Sequence, residues 1–326
     1  MRINIFICHT PFHNFISRNL CQLKFSEAHF RNYIISSVED RATPGNFSLV
    51  VIKPGLTGKI IGLRSAKSFF NSQVKIFKHE VEFFLPHIDG VLGNYIFHNS
   101  YLRNGGAKVN FYYDGILMLD AHREIRTFPR LTVIKRLLSL SIFHYFVLHK
   151  DVLPVNAPRT NSIYTPLPEH TPGPTEKMIA VRFSSMAYTI NHGHVVILGS
   201  DVGIDLDLSY QRIISYCHNA LGVEKILFKP HHADKIHIFQ KLMKNQNDIF
   251  DLVEGKACLE ELISELRPEV VIAPYLSSAL INIKVIFGST IRAICMIEKE
   301  LSETSLNEIT QLAKSLGVEI VTFAKN

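Results

Sequence analysis

Three short stretches place proton-moving or anion-holding side chains directly after apolar runs. FYYDGIL (111–117) breaks at Asp114-Gly115, EKILFKPHHAD (224–234) ends in Lys229, Pro230, His231 and His232, and VVIAPYLSSALINI (270–283) passes a proline to reach Ser277 and Ser278. A carboxylate at a strand end can serve as a general base. An imidazole with an unperturbed pKa near 6.5 can hold a phosphate or give up a proton at neutral pH. Two hydroxyls at a helix start lie beside free backbone N–H groups and the positive end of the dipole, a ready phosphate site. Each stretch also has a plain structural reading. Asp-Gly is a common turn, because Gly supplies positive φ and Asp bonds its own backbone; a loop histidine needs no partner; and serine is an ordinary N-cap.

The elements that must position these residues are legible as apolar runs. In the first half RINIFIC, NYIISS, FSLVVIK, DGVLGNYIF and AKVNFYY read as strands, with helices over 14–23 and 65–84. In the second half VVILGSD, EKILFKPHH, IFDLVEG, EVVIAPYLSS and IRAICMI read as strands, with helices over 206–221, 235–244 and 278–287, a further helical run LEELISEL, and a closing helix and strand. This alternation predicts parallel sheets covered by helices, and in open sheets of that kind ligands sit at the carboxyl ends of the strands. Gly199 and Ser200, just past the strand VVIL, are donor-side candidates on that rule, and Glu260 opens the run LEELISEL. Six prolines between 151 and 177 interrupt the pattern, and the expected division is 1–155, a proline-rich linker at 156–176, and 177–326. Two similar α/β halves joined by a hinge resemble the GT-B outline, two Rossmann-like domains facing a central cleft, which serves glycosyltransferases and sugar-nucleotide epimerases alike.

Composition narrows the classes. With 326 residues, 47% hydrophobic and 20% charged, the chain has enough apolar material for two cores. A formal charge of +6 suits anionic substrates or an anionic membrane surface and falls short of a nucleic-acid signature. Cys8, Cys21, Cys217, Cys258 and Cys295 are scattered in apolar contexts and read as reduced core residues. MRINIFICHTPFHNF is too short in apolar residues for a signal-peptide core, so the expected location is cytoplasmic. LTVIKRLLSLSIFHYFVL (131–148) is broken by Lys135 and Arg136. It reads either as a core helix with a solvated basic edge or, with Arg123, Arg126 and Arg130, as a peripheral contact with the cytoplasmic face of an inner membrane. No metal is expected: His192, His194, His231 and His232 lack an acidic partner set, and Asp205 and Asp207 read as a helix start.

In their order, YYDG (112–115), FKPHH (228–232) and LSS (276–278) resemble the motifs of bacterial sialyltransferases, including the capsular polysialyltransferases, and ICHTPFH (7–13) is similar to the strand and Thr-Pro turn that opens several of them. The resemblance implies an inverting, metal-independent transfer of sialic acid or a related nonulosonic acid from a CMP-activated donor to a bacterial surface glycan, without a cofactor. It implies Asp114 as general base, His231 as the group that stabilises or protonates the departing phosphate, and Ser277 and Ser278 as phosphate ligands. Lys229, Pro230, Gly199, Ser200 and Glu260 would lie on the donor side, Glu260 toward the ribose, with Thr10, Pro11 and His13 at the cleft. The chain departs from the pattern at Tyr113, where many relatives carry a second acid, and in reading Pro-His-His where they read His-Pro. The alternatives are a UDP- or GDP-sugar transferase or epimerase of the same fold, or a noncatalytic capsule-assembly partner.

Overall fold

The computed structural model describes residues 1–38, 45–53, 56–99, 102, 104–119, 153–183, 189–200, 206–230, 250–253, 258–298 and 307–323. The chain divides into two units, Met1–Arg182 and Phe183–Asn326. Each is built on a parallel sheet.

The first sheet holds β1 (Arg2–Cys8), β2 (Phe30–Ser36), β3 (Phe47–Val51), β4 (Val81–Leu85), β5 (Lys108–Tyr112), β6 (Thr160–Thr165) and β7 (Met178–Ala180) in the order β3-β2-β1-β4-β5-β6-β7. Every pairing is parallel. The central strands read as continuous apolar runs because helices cover both faces of such a sheet. Phe6 of β1 stacks on Phe84 of β4 with ring centroids 4.4 Å apart, and both are fully buried. The order reverses between β1 and β4, which makes the carboxyl ends of these two strands the switch crevice where ligands collect.

Helices α1 (Pro11–Lys24), α2 (Leu56–Phe77), α3 (Val91–His98) and the short α4 (Ile116–Leu119) connect these strands. α1 starts where the sequence dictates: Thr10 is the N-cap, its Oγ1 accepts from the His13 N–H at 3.2 Å, and Pro11 supplies the fixed φ of the first turn.

The second sheet holds β8 (Asn191–Leu198), β9 (Lys225–Lys229), β10 (Phe250–Leu252), β11 (Pro268–Ala273), β12 (Arg292–Glu298) and β13 (Glu319–Phe323) in the order β10-β9-β8-β11-β12-β13, also parallel. Its switch lies between β8 and β11. Helices α5 (Leu206–Tyr216), α6 (Leu259–Leu266), α7 (Ser278–Phe287) and α8 (Asn307–Ser315) are its described helices. The core gathers Val195, Ile197, Phe228, Ile272 and Ile294, which the strand register places on one face of the sheet, together with Ile213 of α5.

Three expectations need correction. The stretch 156–176 is not a linker: 160–165 form β6, paired with β5 and β7, and the units divide after Arg182. The prolines lie outside that strand, so TNSIYT keeps its ladder donors and buries Ile163 and Tyr164. DGVLGNYIF is not a strand but α3, because Leu92, Tyr95 and Ile96 recur at helical spacing on a buried face. The helix expected to run to Phe84 stops at Phe77, and the alternating VEFFL becomes β4. The expected helix over 235–244 and the basic segment 123–136 lie outside the described residues.

Candidate active site

At the carboxyl ends of β1, β4 and β5 four polar side chains converge. β5 ends at Tyr112, Gly115 takes φ +64°, and α4 starts at once, so the Asp-Gly break is a true turn that also holds Asp114 at the sheet edge. Asp114 keeps only 8% of its surface exposed. Its Oδ1 lies 2.5 Å from His13 Nε2, across 101 residues of sequence. The other ring nitrogen of His13, Nδ1, accepts the backbone N–H of His9 at 3.1 Å, so the ring proton belongs on Nε2 and His13 donates to the carboxylate. The His87 ring, just past β4, stands 5.1 Å from that of His9 and 6.0 Å from that of His13, centroid to centroid.

These contacts set the charges. Burial, together with the neighbouring imidazoles of His87 and His13, pushes His9 down to about 3, so it is neutral at physiological pH. Burial pushes the Asp114 carboxyl up, yet His13, with smaller help from His87, outweighs it and holds the group below the ordinary aspartate value. Asp114 is therefore an anion at neutral pH. Its Oδ2 is buried and, among the described residues, accepts no hydrogen bond. An unpaired buried acceptor costs about 1–3 kcal/mol, and more when charged. A hydroxyl donated to Oδ2 would remove that penalty.

Thr10 and Pro11 serve the site indirectly. Thr10 caps α1 and Pro11 starts it, and together they fix the turn that presents His13 to Asp114. His9 and His87 are the residues that sequence reasoning missed. Their signal was present: His9 and His13 stand four apart across a strand-to-helix turn, and FFLPH (83–87) repeats the strand-proline-histidine order of FKPH (228–231).

In the second unit the donor-side candidates also lie at strand carboxyl ends. The Gly199 N–H donates to the Lys229 carbonyl at 2.8 Å, tying the ends of β8 and β9, with Pro230 next along the chain. The Ser200 N–H donates to Tyr210 Oη at 3.0 Å. Ser277 is the N-cap of α7, its Oγ accepting from the Ala279 N–H at 3.2 Å; its own O–H stays available as a donor. Ser278 is exposed on the first turn, one turn before Asn282 on the same helix face. Asn282 Nδ2 donates to Glu260 Oε1 at 2.9 Å. Glu260 is buried, which pushes its carboxyl up, while the Asn282 bond and, more weakly, the charge of Lys229 pull it back. Lys229, Glu260 and Asn282 thus form one group, and Ser278 shares its helix face. His231 and His232 lie outside the described residues.

His192 and His194 sit at the opposite, amino end of β8, where His192 Nδ1 is 3.6 Å from Glu269. Among the described residues no group of three or more His, Cys, Asp or Glu is arranged to hold a metal ion. Asp205 lies outside the described residues, and α5 begins at Leu206. All five cysteines are buried and none is in a disulfide, and burial pushes the Cys217 and Cys295 thiols up to about 12, which fits core residues and not nucleophiles. Among the described helices none is long and apolar enough to cross a membrane. Residues 131–148 lie outside the described set.

No family model matches the chain, and no curated protein matches it in sequence. Solved structures do match. UDP-GlcNAc 2-epimerase from Methanocaldococcus jannaschii aligns over 100% of this chain and 89% of its own, with a TM-score of 0.51 at 12% identity. An S. aureus MnaA-UDP co-structure aligns over 90% of this chain and 79% of its own, with a TM-score of 0.53 at 10% identity. A glycosyltransferase from Rickettsia africae covers 100% and 84% at a TM-score of 0.49 and 8% identity. The architecture is the GT-B type, two parallel-sheet α/β units.

Proposed function

We propose that the chain is a nucleotide-sugar-dependent glycosyltransferase in which Asp114 takes the proton of an acceptor hydroxyl. One observation carries the reading: a buried, ionised carboxylate at a switch crevice, with one oxygen fixed by His13 and the other without a donor among the described residues. As the acceptor oxygen attacks the anomeric carbon, its O–H bond breaks and the proton moves to Oδ2. The nucleotide departs with the electron pair of the broken C–O bond. A carboxylate held below its ordinary pKa is a weak base. It suits a transfer in which the acceptor oxygen becomes acidic only as its bond to an oxocarbenium-like carbon forms. On the donor side, the Ser277-Ser278 helix start and Lys229 are the described groups able to hold the leaving phosphate.

Two donors have support of different kinds. The order of the Asp-Gly, Lys-Pro-His and Ser-Ser motifs supports a CMP-activated nonulosonic acid passed to a bacterial surface glycan. The two solved structures with TM-scores above 0.5, both named with UDP or a UDP-sugar, favour a UDP-sugar, and on fold alone that reading is the better supported. Thermal shifts with CMP, UDP and GDP, followed by mass analysis of products from matching donors and a glycan panel, separate the two. The nucleotide of the true donor raises the apparent melting temperature most, since it binds the folded state alone. A chain that answers to none of the three, and transfers nothing, is not a glycosyltransferase of this kind.

A further inference from the structure

In the familiar histidine–carboxylate pair the carboxylate orients the imidazole, and the second ring nitrogen takes the proton. Here that second nitrogen is already occupied. His13 gives Nε2 to Asp114 Oδ1 at 2.5 Å and receives the His9 N–H on Nδ1 at 3.1 Å. The His9 amide lies in the turn between β1 and α1, and its side chain is seated beside the start of α3. The His9 ring lies between His87, at 5.1 Å, and Gly90, the N-cap of α3. A Cβ on Gly90 would fall 2.5 Å from His9 Nε2 and 2.8 Å from its Cε1. The φ of Gly90 is −71°, open to any residue. Glycine stands at 90 for space, because the His9 ring fills the place of its side chain.

We propose that Gly90 and His9 form a positioning device that makes Asp114, and not His13, the base of the pair. This rests on the reading that the pair acts on an acceptor hydroxyl. The device works by exclusion. A proton on His13 Nδ1 would point at the His9 N–H, so the ring keeps its single proton on Nε2 and spends it on Asp114 Oδ1. The acceptor's proton then has one destination, Oδ2, which is buried without a donor. His9, neutral and itself buried at Nε2, adds no charge that would compete for the carboxylate.

The test reads the tautomer directly, by nitrogen NMR of the whole chain labelled at histidine, with the His13 signals identified by their loss in His13→Gln. The expected result is a pyridine-like Nδ1 and a pyrrole-like Nε2 at pH 7; the reverse pattern in the wild-type chain overturns the proposal. In folded Gly90→Ala the added methyl displaces the His9 ring. Nδ1 should then gain proton character, kcat/KM should fall about tenfold, and the acidic limb of its pH profile should move up toward the histidine range near 6.5. His9→Pro deletes the N–H outright, and Cys8 before it is already extended, as a residue preceding proline must be. It should give the same changes. A folded variant with unchanged tautomer and pH profile also overturns the device. The tautomer is read without substrate, so a chain that transfers no sugar sinks the functional reading while this measurement still decides the positioning.

Discussion

The two strand-end regions handle buried polar groups in opposite ways. In the first unit His9, His13, His87 and Asp114 arrive from three adjacent strand ends and meet one another, and the meeting leaves one carboxylate oxygen without a donor. In the second unit Ser277 caps its own helix, Gly199 and Ser200 are held through their backbone, and Glu260 is matched by Asn282. An unmet need inside a built cluster points to chemistry. A set of satisfied residues at a switch crevice points to binding, because caps and backbone groups can accept a ligand without rearranging. The first unit therefore carries the proton transfer in this picture and the second the donor.

The sharpest way to break that division is Asp114→Asn. The amide keeps the shape and loses the base, so kcat should fall by about 100-fold or more while nucleotide binding stays near normal, as general base catalysis contributes ~10² to 10⁴. Steady-state kinetics beside a nucleotide titration would show it. Near-normal turnover in a folded Asn variant would reduce the first cluster to architecture.

The double change Ser277→Ala with Ser278→Ala probes the other side. Loss of charge-assisted hydrogen bonds worth roughly 1.5–3 kcal/mol should weaken the nucleotide about ten- to a hundredfold and the nucleoside far less. Calorimetry on both ligands decides it. Equal weakening would mean that the serines shape α7 and touch no phosphate.

A smaller effect concerns His9. Its folded pKa of about 3 lies below the unfolded value of about 6.5, so the unfolded chain binds the proton first as pH falls. Stability is then lost progressively below about 6.5. Between pH 7 and 5 the loss from this group is at most about 2 kcal/mol. Asp114 acts at lower pH: its depressed pKa adds stability above the ordinary aspartate value, and that is lost as pH falls through the folded value. Urea unfolding at the two pH values should show a shallower dependence in His9→Gln than in the wild type. Parallel curves would show that the ring is solvated and that the cluster is looser than described.

The smallest expected change is with a chelator. If a helix start, its hydroxyls and Lys229 receive the leaving charge, excess EDTA should alter activity by less than about twofold. Abolition with rescue by Mg²⁺ or Mn²⁺ would move charge neutralisation from α7 to a metal, and the comparison of the two units would have to be redrawn.

Local chemistry made much of this legible from residues alone. Continuous apolar runs announced buried parallel strands, Thr10-Pro11 fixed the start of α1, the Asp-Gly pair fixed the end of β5, and the apolar run after Ser277 gave α7 its observed bounds. These follow from propensity, capping and φ preference within a few residues, which a sequence carries in full. Where two local signals competed the reading failed: the prolines around TNSIYT hid a strand, and DGVLGNYIF looked like a strand until its i, i+3, i+4 face was packed. What only the tertiary structure decided is the pairing of His13 with Asp114 and the room that Gly90 leaves for His9. Those contacts join residues 101 and 81 positions apart. They exist because the strand order β1-β4-β5 sets three distant strand ends side by side, a neighbourhood that no local pattern encodes.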